Sequence, residues 1–147
     1  MSRQLNVAII GAGIGAQHVD GFLEVPHLFD ISIICDLDES KVTPLLDQSG
    51  GRYESDIDVV LSDPSVDIVD VCLPPNLHFD VSQAALRAGK HVICEKPMTT
   101  TLAEAKILQK AHQKAGTVFA LTHTYTGYPM VKEAQTLVAN GEFGAIR

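Results

Sequence analysis

Leu5-Asn6-Val7-Ala8-Ile9-Ile10-Gly11-Ala12-Gly13-Ile14-Gly15-Ala16 runs from a strand-like segment into a glycine turn. A short apolar run rich in β-branched residues ends in three glycines at alternate positions. Beyond it, Val19, Phe22 and Leu23 fall on one helical face. Strand, glycine turn and helix, in that order, is the context that gives a G-x-G-x-x-G/A match meaning. The match is Gly11, Gly13 and Ala16. Gly11 permits the tight turn, Gly13 lets a pyrophosphate approach the backbone, and small Ala16 lets the helix pack closely on the strand. The helix start, through Ile14 and Gly15, then offers unpaired N–H groups and a positive dipole end to an anion. Two other readings stay open here. One is simple turn chemistry. The other is the methyltransferase glycine loop, G-x-G-x-G, although Ile9 and Ile10 stand where that loop usually carries an acid.

The 147 residues suit one domain with a real core, 46% hydrophobic and 20% charged. A net charge of −7 argues against a nucleic-acid or anionic-membrane partner. The first apolar run is too short for a signal peptide and no segment could span a bilayer, so a cytoplasmic location is the default expectation. Cys35, Cys72 and Cys94 are widely spaced, without metal-ligand spacing, each at a predicted strand end. They read as buried thiols, and no metal is expected.

Downstream, Pro26 stops the first helix and Ile31–Asp36 reads as a second strand. Asp36 lies 25 residues past Gly11, where a dinucleotide fold places an acid on the adenosine ribose hydroxyls. Asp38 and Glu39 add carboxylates, and no arginine is at hand for a 2′-phosphate, so the site favours NAD over NADP. A helix-entry role for these acids is the alternative. A helix through Leu46 gives way to Ser49-Gly50-Gly51, a short strand at Arg52-Tyr53 and a weak helical face at Ile57, Val60 and Leu61. Asp67 to Leu73 forms a fourth strand halted by Pro74-Pro75, with no role assigned to Asp67 or Asp70. Val81, Ala84, Ala85 and Ala88 mark a helix closed by Gly89. His91-Val92-Ile93-Cys94 is a fifth strand that delivers Glu95-Lys96-Pro97. Thr101 to Glu104 is a capping box, Thr117 to Leu121 a sixth strand, and Pro129 opens a last helix closed by Gly141.

Strands alternating with helices predict an α/β fold, a doubly wound parallel sheet covered on both faces. Right-handed crossovers put all strand C-terminal ends along one edge. The glycines, Asp36, Pro74-Pro75, Glu95-Lys96-Pro97 and His123 gather there, where open α/β sheets bind ligands.

Two further segments are specific. Pro74-Pro75-Asn76-Leu77-His78 continues to Ala88-Gly89-Lys90-His91-Val92-Ile93-Cys94-Glu95-Lys96-Pro97, and the tail reads Asn140-Gly141-Glu142-Phe143-Gly144-Ala145-Ile146-Arg147. With the glycine turn, they resemble the glucose–fructose oxidoreductase/inositol dehydrogenase/MocA family along essentially the whole chain. The resemblance implies a nicotinamide-dependent oxidoreductase acting on a sugar, cyclitol or related polyol. It implies that Leu73, Pro74, Asn76, His78, Glu95 and Lys96 line the cofactor's nicotinamide half. Lys96 is expected to bind substrate and transfer the proton, in a partly dry pocket.

Pro75 stands where the family often has Asn, and Thr126 where it often has Arg, which points to different substrate contacts. His123 and Tyr125 are candidates for those contacts or for structural roles at a strand end. His78 has helix entry as an alternative, and His18, His27, His91 and His112 show no partner pattern. Family members are two to three times longer, and their second α/β domain supplies most substrate contacts. Residues 1–147 are therefore expected to be an isolated dinucleotide-binding domain, inactive alone. The alternative is a stand-alone NAD-binding sensor or interaction module. Tyr125, Tyr128, Met130 and Phe143 are expected to face the missing half, leaving a patch that favours homo-oligomers.

Overall fold

A computed structural model describes residues 3–145. Six parallel strands lie in the order β3-β2-β1-β4-β5-β6. They are β1 (Leu5–Ile10), β2 (Phe29–Cys35), β3 (Arg52–Glu54), β4 (Ile68–Val71), β5 (His91–Cys94) and β6 (Phe119–Leu121). Helices α1 (Ala12–Leu23), α2 (Glu39–Ser49), α3 (Ile57–Ser62), α4 (Pro75–Arg87) and α5 (Leu102–Ala115) fill the crossovers. A 3₁₀ turn, Thr124–Gly127, leads to α6 (Pro129–Ala139). The chain winds outward from β1 in one direction, then returns to add β4 on its other side. The switch point is thus between β1 and β4, where a crevice opens beyond the strand ends.

Alternation along the strands builds two cores. Ala8 and Ile10 of β1 join Ile33, Cys35, Val69, Val71, Val92 and Cys94 beneath α4 and α5, with Val81, Ala85, Leu86 and Leu108. Val7 and Ile9 join Ile31, Ile34 and Ile68 beneath α1 and α2, with Val19, Val42 and Leu45. Strands buried on both faces read as continuous apolar runs, as β1 does from Val7 to Ile10, and Asp70 is the exception in β4. In β2, Ile31 pairs with Val7 and Ile33 with Ala8, so Ser32 is an extra residue. That bulge puts Ile31 and Ile34 on the same side, and Ser32 Oγ donates to the Val7 carbonyl at 3.3 Å.

The boundaries differ from the sequence reading in two instructive places. β2 begins at Phe29, two residues early, because Phe29 packs edge-on against Phe22 with ring centroids 5.3 Å apart. α4 begins at Pro75, ahead of the Val81 to Ala88 face that marks it in the sequence. A proline that ends a strand is also well suited to the first turn of a helix, where its missing N–H costs nothing. The capping box is as expected: Glu104 N–H donates to Thr101 Oγ1 at 3.2 Å and Thr101 N–H to Glu104 at 3.1 Å. Cys35, Cys72 and Cys94 are free and buried. No described helix is long and apolar enough to cross a membrane.

The β6 side is bare by comparison. α6 buries none of its residues, and Tyr125, Tyr128, Met130 and Phe143 are 68%, 53%, 76% and 62% exposed.

Candidate functional site

The glycine turn stands at the end of β1, in the crevice. Gly11 has φ +101°, and a Cβ there would lie 2.4 Å from the Cys72 carbonyl oxygen. No other residue fits that approach of the turn to the end of β4. A Cβ on Gly13 would meet nothing within 4 Å, so the backbone there faces open space. Gly15 carries the close helix–strand contact: its Cβ would lie 2.9 Å from Ile9 Cγ2 and 3.4 Å from Cys72 Cβ. The sequence reading gave that role to Ala16, which packs only partly buried beside the same core. Ile14, on the first turn of α1, is exposed.

Asp36 follows β2, the neighbouring strand. One carboxylate oxygen accepts the Ala12 N–H at 2.7 Å and the other the Asp38 N–H at 3.0 Å. The acid is held beside the first turn of α1. It also lines a cavity of about 280 Å³ with Ile10, Leu37, Ser55, Ile57, Leu73, Pro74 and Leu77. An apolar slot with a carboxylate at its rim suits an adenosine: the base packs on aliphatic walls and the ribose hydroxyls donate to Asp36. The open face at Gly13 beside the N-terminus of α1 suits the pyrophosphate. Asn76 lies exposed on the first turn of α4.

Across the switch point, β5 delivers Glu95 and Lys96. Lys96 lines a second cavity, about 320 Å³, with Pro97, Thr122, His123, Thr124, Tyr125 and Thr126. Lys96, His123 and Tyr125 are therefore brought together. Lys96 is exposed, so the dry pocket expected from the sequence is not formed by these residues alone.

Glu95 is 8% exposed and fully engaged. Its Oε1 accepts the Thr122 hydroxyl at 2.6 Å and lies 3.4 Å from His18 Nε2; its Oε2 accepts the Lys96 N–H at 3.1 Å. Burial pushes its pKa up, but the Thr122 hydroxyl, the Lys96 N–H and His18 together hold it below the ordinary value. His18 Nδ1 lies 2.7 Å from Asp70 Oδ2, and Asp70 is fully buried in β4. The hydrogen bond to Asp70 raises the His18 pKa against the opposing effect of burial, with Glu95 adding to the rise. His18 has partners after all, where the sequence showed none.

His18 Nδ1, an Asp70 oxygen and Cys72 Sγ lie within 4.8 Å of one another, a nitrogen, oxygen and sulfur set of the kind that binds metal. The 2.7 Å contact is of hydrogen-bond length and spends Nδ1 and one carboxylate oxygen on each other. Burial drives the Cys72 thiol pKa far up, which disfavours a thiolate ligand. Burial also lifts Cys35 and Cys94 to about 11.

His78 does not reach the crevice. It is 1% exposed, with Nδ1 2.7 Å from the Pro97 carbonyl and Nε2 2.6 Å from the Leu73 carbonyl. Both ring nitrogens face main-chain carbonyls, so the ring bridges two strand-end loops. Another ring without a partner pattern in the sequence, His91, accepts the Val118 N–H at 2.9 Å.

A six-stranded parallel sheet in this order, with a glycine turn at its switch point and an acid at the end of the neighbouring strand, defines a dinucleotide-binding domain of the Rossmann type. The sequence matches the family described as "Oxidoreductase family, NAD-binding Rossmann fold" (GFO_IDH_MocA) over residues 5–123, and the chain belongs to that family. It is 34% identical over 146 residues to the uncharacterized oxidoreductase YrbE of Bacillus subtilis, covering 98% of this chain and 42% of that protein. It is 30% identical over 153 residues to levoglucosan dehydrogenase of Pseudarthrobacter phenanthrenivorans, covering 98% of this chain and 39% of that one. Among solved structures, GenD2 from gentamicin A biosynthesis in complex with NAD superposes with a TM-score of 0.90 at 29% identity. That match covers 97% of this chain and 41% of GenD2. The chain thus spans about two fifths of the length of the relatives it matches.

Proposed function

We propose that this chain is the cofactor-binding half of an NAD-dependent oxidoreductase that transfers hydride between the nicotinamide and a hydroxyl carbon of a sugar, cyclitol or related polyol. The carrying observation is the order of residues along one sheet edge: Asp36 after β2, Gly11 after β1, Leu73-Pro74 after β4, Lys96 after β5 and His123 after β6. Adjacent strands thus run from a ribose-binding acid, through a phosphate turn, to an ammonium.

Asp36 takes the adenosine ribose hydroxyls, and its charge, with Asp38 and Glu39 close behind, repels a 2′-phosphate. The first turn of α1, from Gly13 to Gly15, receives the pyrophosphate. Leu73 and Pro74 flank the path to the nicotinamide. Bound NAD supplies the hydride acceptor. Lys96 stands at the edge of the second cavity, where its amine takes the proton of the substrate hydroxyl in oxidation and returns it in reduction. His123 and Tyr125 line the same cavity and contact the substrate.

The sugar or polyol class is supported by the levoglucosan dehydrogenase relative. The remaining substrate contacts belong to a second domain that packs on the exposed Tyr125, Tyr128, Met130 and Phe143 side. Without it, positioning is incomplete, and effective catalysis depends on holding both reactants. The test is direct. The 147-residue chain, its length verified by mass, is assayed with NAD and a panel of sugars and cyclitols. NADH binding without turnover is expected; robust steady-state turnover contradicts the proposal.

A further inference from the structure

Two buried or half-buried histidines hold the Lys96-Pro97 turn from different sides. His78 fixes it to the Leu73 loop through main-chain carbonyls. His18 reaches it through Glu95, whose two oxygens bind in three directions: towards α1, towards Thr122 after β6, and towards the Lys96 N–H.

We propose that His18 is a positioning residue whose imidazolium, seated between Asp70 and Glu95, fixes Glu95 and thereby sets where Lys96 is presented at the sheet edge. The proposal rests on the reading of Lys96 as the proton-transfer group. Its physical basis is a count of donors. A neutral imidazole has one N–H, whereas His18 faces a carboxylate oxygen from each ring nitrogen; only the protonated ring donates to both. The shorter contact joins it to Asp70, whose side chain is wholly buried and whose Oδ1 has no hydrogen-bond partner among the described residues. A buried carboxylate with one free oxygen gains most from a full positive charge beside it. On deprotonation the Nδ1–H stays with Asp70, and the Nε2 lone pair turns on Glu95 Oε1. Glu95 is then released from α1 and held only by Thr122 and Lys96.

The groups facing His18 are few. β4 and its end contribute Asp70 and Cys72, with Sγ 3.4 Å from Nδ1, and the end of β5 contributes Glu95. Cys72 stays a neutral thiol. The charge state of the cluster near neutral pH therefore changes at the ring.

The test is a pH titration of the 147-residue chain followed by NMR, reading the His18 ring nitrogens and the Lys96 backbone amide. The expected result is a step in the Lys96 amide with the same midpoint as the His18 ring, lost in His18→Gln. A purely structural His18 would affect stability and leave no such step. Asp70→Asn keeps the ring and serves if His18→Gln fails to fold: the His18 midpoint and the Lys96 step should fall together. A Lys96 amide that ignores the His18 titration overturns the proposal. The underlying reading is tested separately by Lys96→Met in a longer chain that includes the substrate-contacting half. Lost turnover with an indifferent Lys96 amide overturns the positioning role alone. Full turnover in Lys96→Met with a coupled amide overturns the proton-transfer reading alone.

Discussion

The Asp36 carboxylate accepts the Ala12 N–H at 2.7 Å, tying the acid after β2 to the first residue of α1. The acid proposed to bind ribose and the turn proposed to bind phosphate are therefore set as one unit. A 2′-phosphate would have to approach this fixed charge with Asp38 and Glu39 next to it. We expect NADPH to bind at least about tenfold more weakly than NADH, a difference of ~1.4 kcal/mol. Asp36→Ala should shrink that ratio while weakening NADH. Fluorescence titration of both nucleotides checks it, and an unchanged ratio would remove Asp36 from the specificity account.

Gly11 and Gly13 should separate on substitution. Gly11→Ala combines a positive φ with a Cβ 2.4 Å from a carbonyl oxygen, and should cost about 3 kcal/mol or more. Gly13→Ala has open space and a helical position, so stability should change by about 1 kcal/mol at most, in the favourable direction. Its new methyl faces the pyrophosphate path, so NADH affinity should fall. Urea unfolding alongside NADH titration of each variant distinguishes a binding glycine from a folding one.

The His18 cluster predicts how stability depends on pH. A histidine raised above its ordinary 6.5 stabilises the fold fully below that value, and the contribution disappears as pH climbs through the folded pKa. Glu95, lowered from 4.5, contributes above that value and loses it as pH falls through its folded pKa. Asp63, held at about 2 by the Ser65 hydroxyl and N–H and by Arg52, adds to the acid side. The decline that sets in as pH rises above 6.5 belongs to His18. Urea midpoints across that rise should fall in the native chain and stay level in His18→Gln.

Much of this was legible in the sequence, for identifiable reasons. The glycine turn, the acid after β2, the capping box at Thr101 and the residues at strand ends are local signals, fixed by backbone sterics and by alternation of strand and helix. The His18–Asp70–Glu95 cluster was not, because its members come from α1, β4 and the end of β5 and meet only through the order of β1, β4 and β5. One trace was present: Asp70 interrupts an apolar strand, and a buried carboxylate demands a partner. The inward setting of His78, whose ring faces two carbonyls, was equally hidden, because the loops it bridges are brought together only by the order of β4 and β5.

The exposed aromatic side makes a prediction about association. Tyr125 and Tyr128 stack edge-on at 5.7 Å and, with Met130 and Phe143, leave apolar surface uncovered. Sedimentation should show self-association rising with concentration and reduced by Tyr125→Ser with Met130→Ser. A strict monomer at high concentration would count against a docking role for this face.

Lys96→Met should leave NADH affinity of this chain within about threefold, since the ammonium is exposed and apart from the phosphate turn. In a longer chain that includes the substrate-contacting half, it should lower turnover by ~10²–10⁴.

Calorimetric titration of the 147-residue chain with NADH, NADPH and S-adenosylmethionine decides which nucleotide the glycine turn holds. One NADH per chain, weaker NADPH and no response to S-adenosylmethionine are predicted. Absence of NADH binding by the folded chain, or preference for S-adenosylmethionine, would contradict the proposed function.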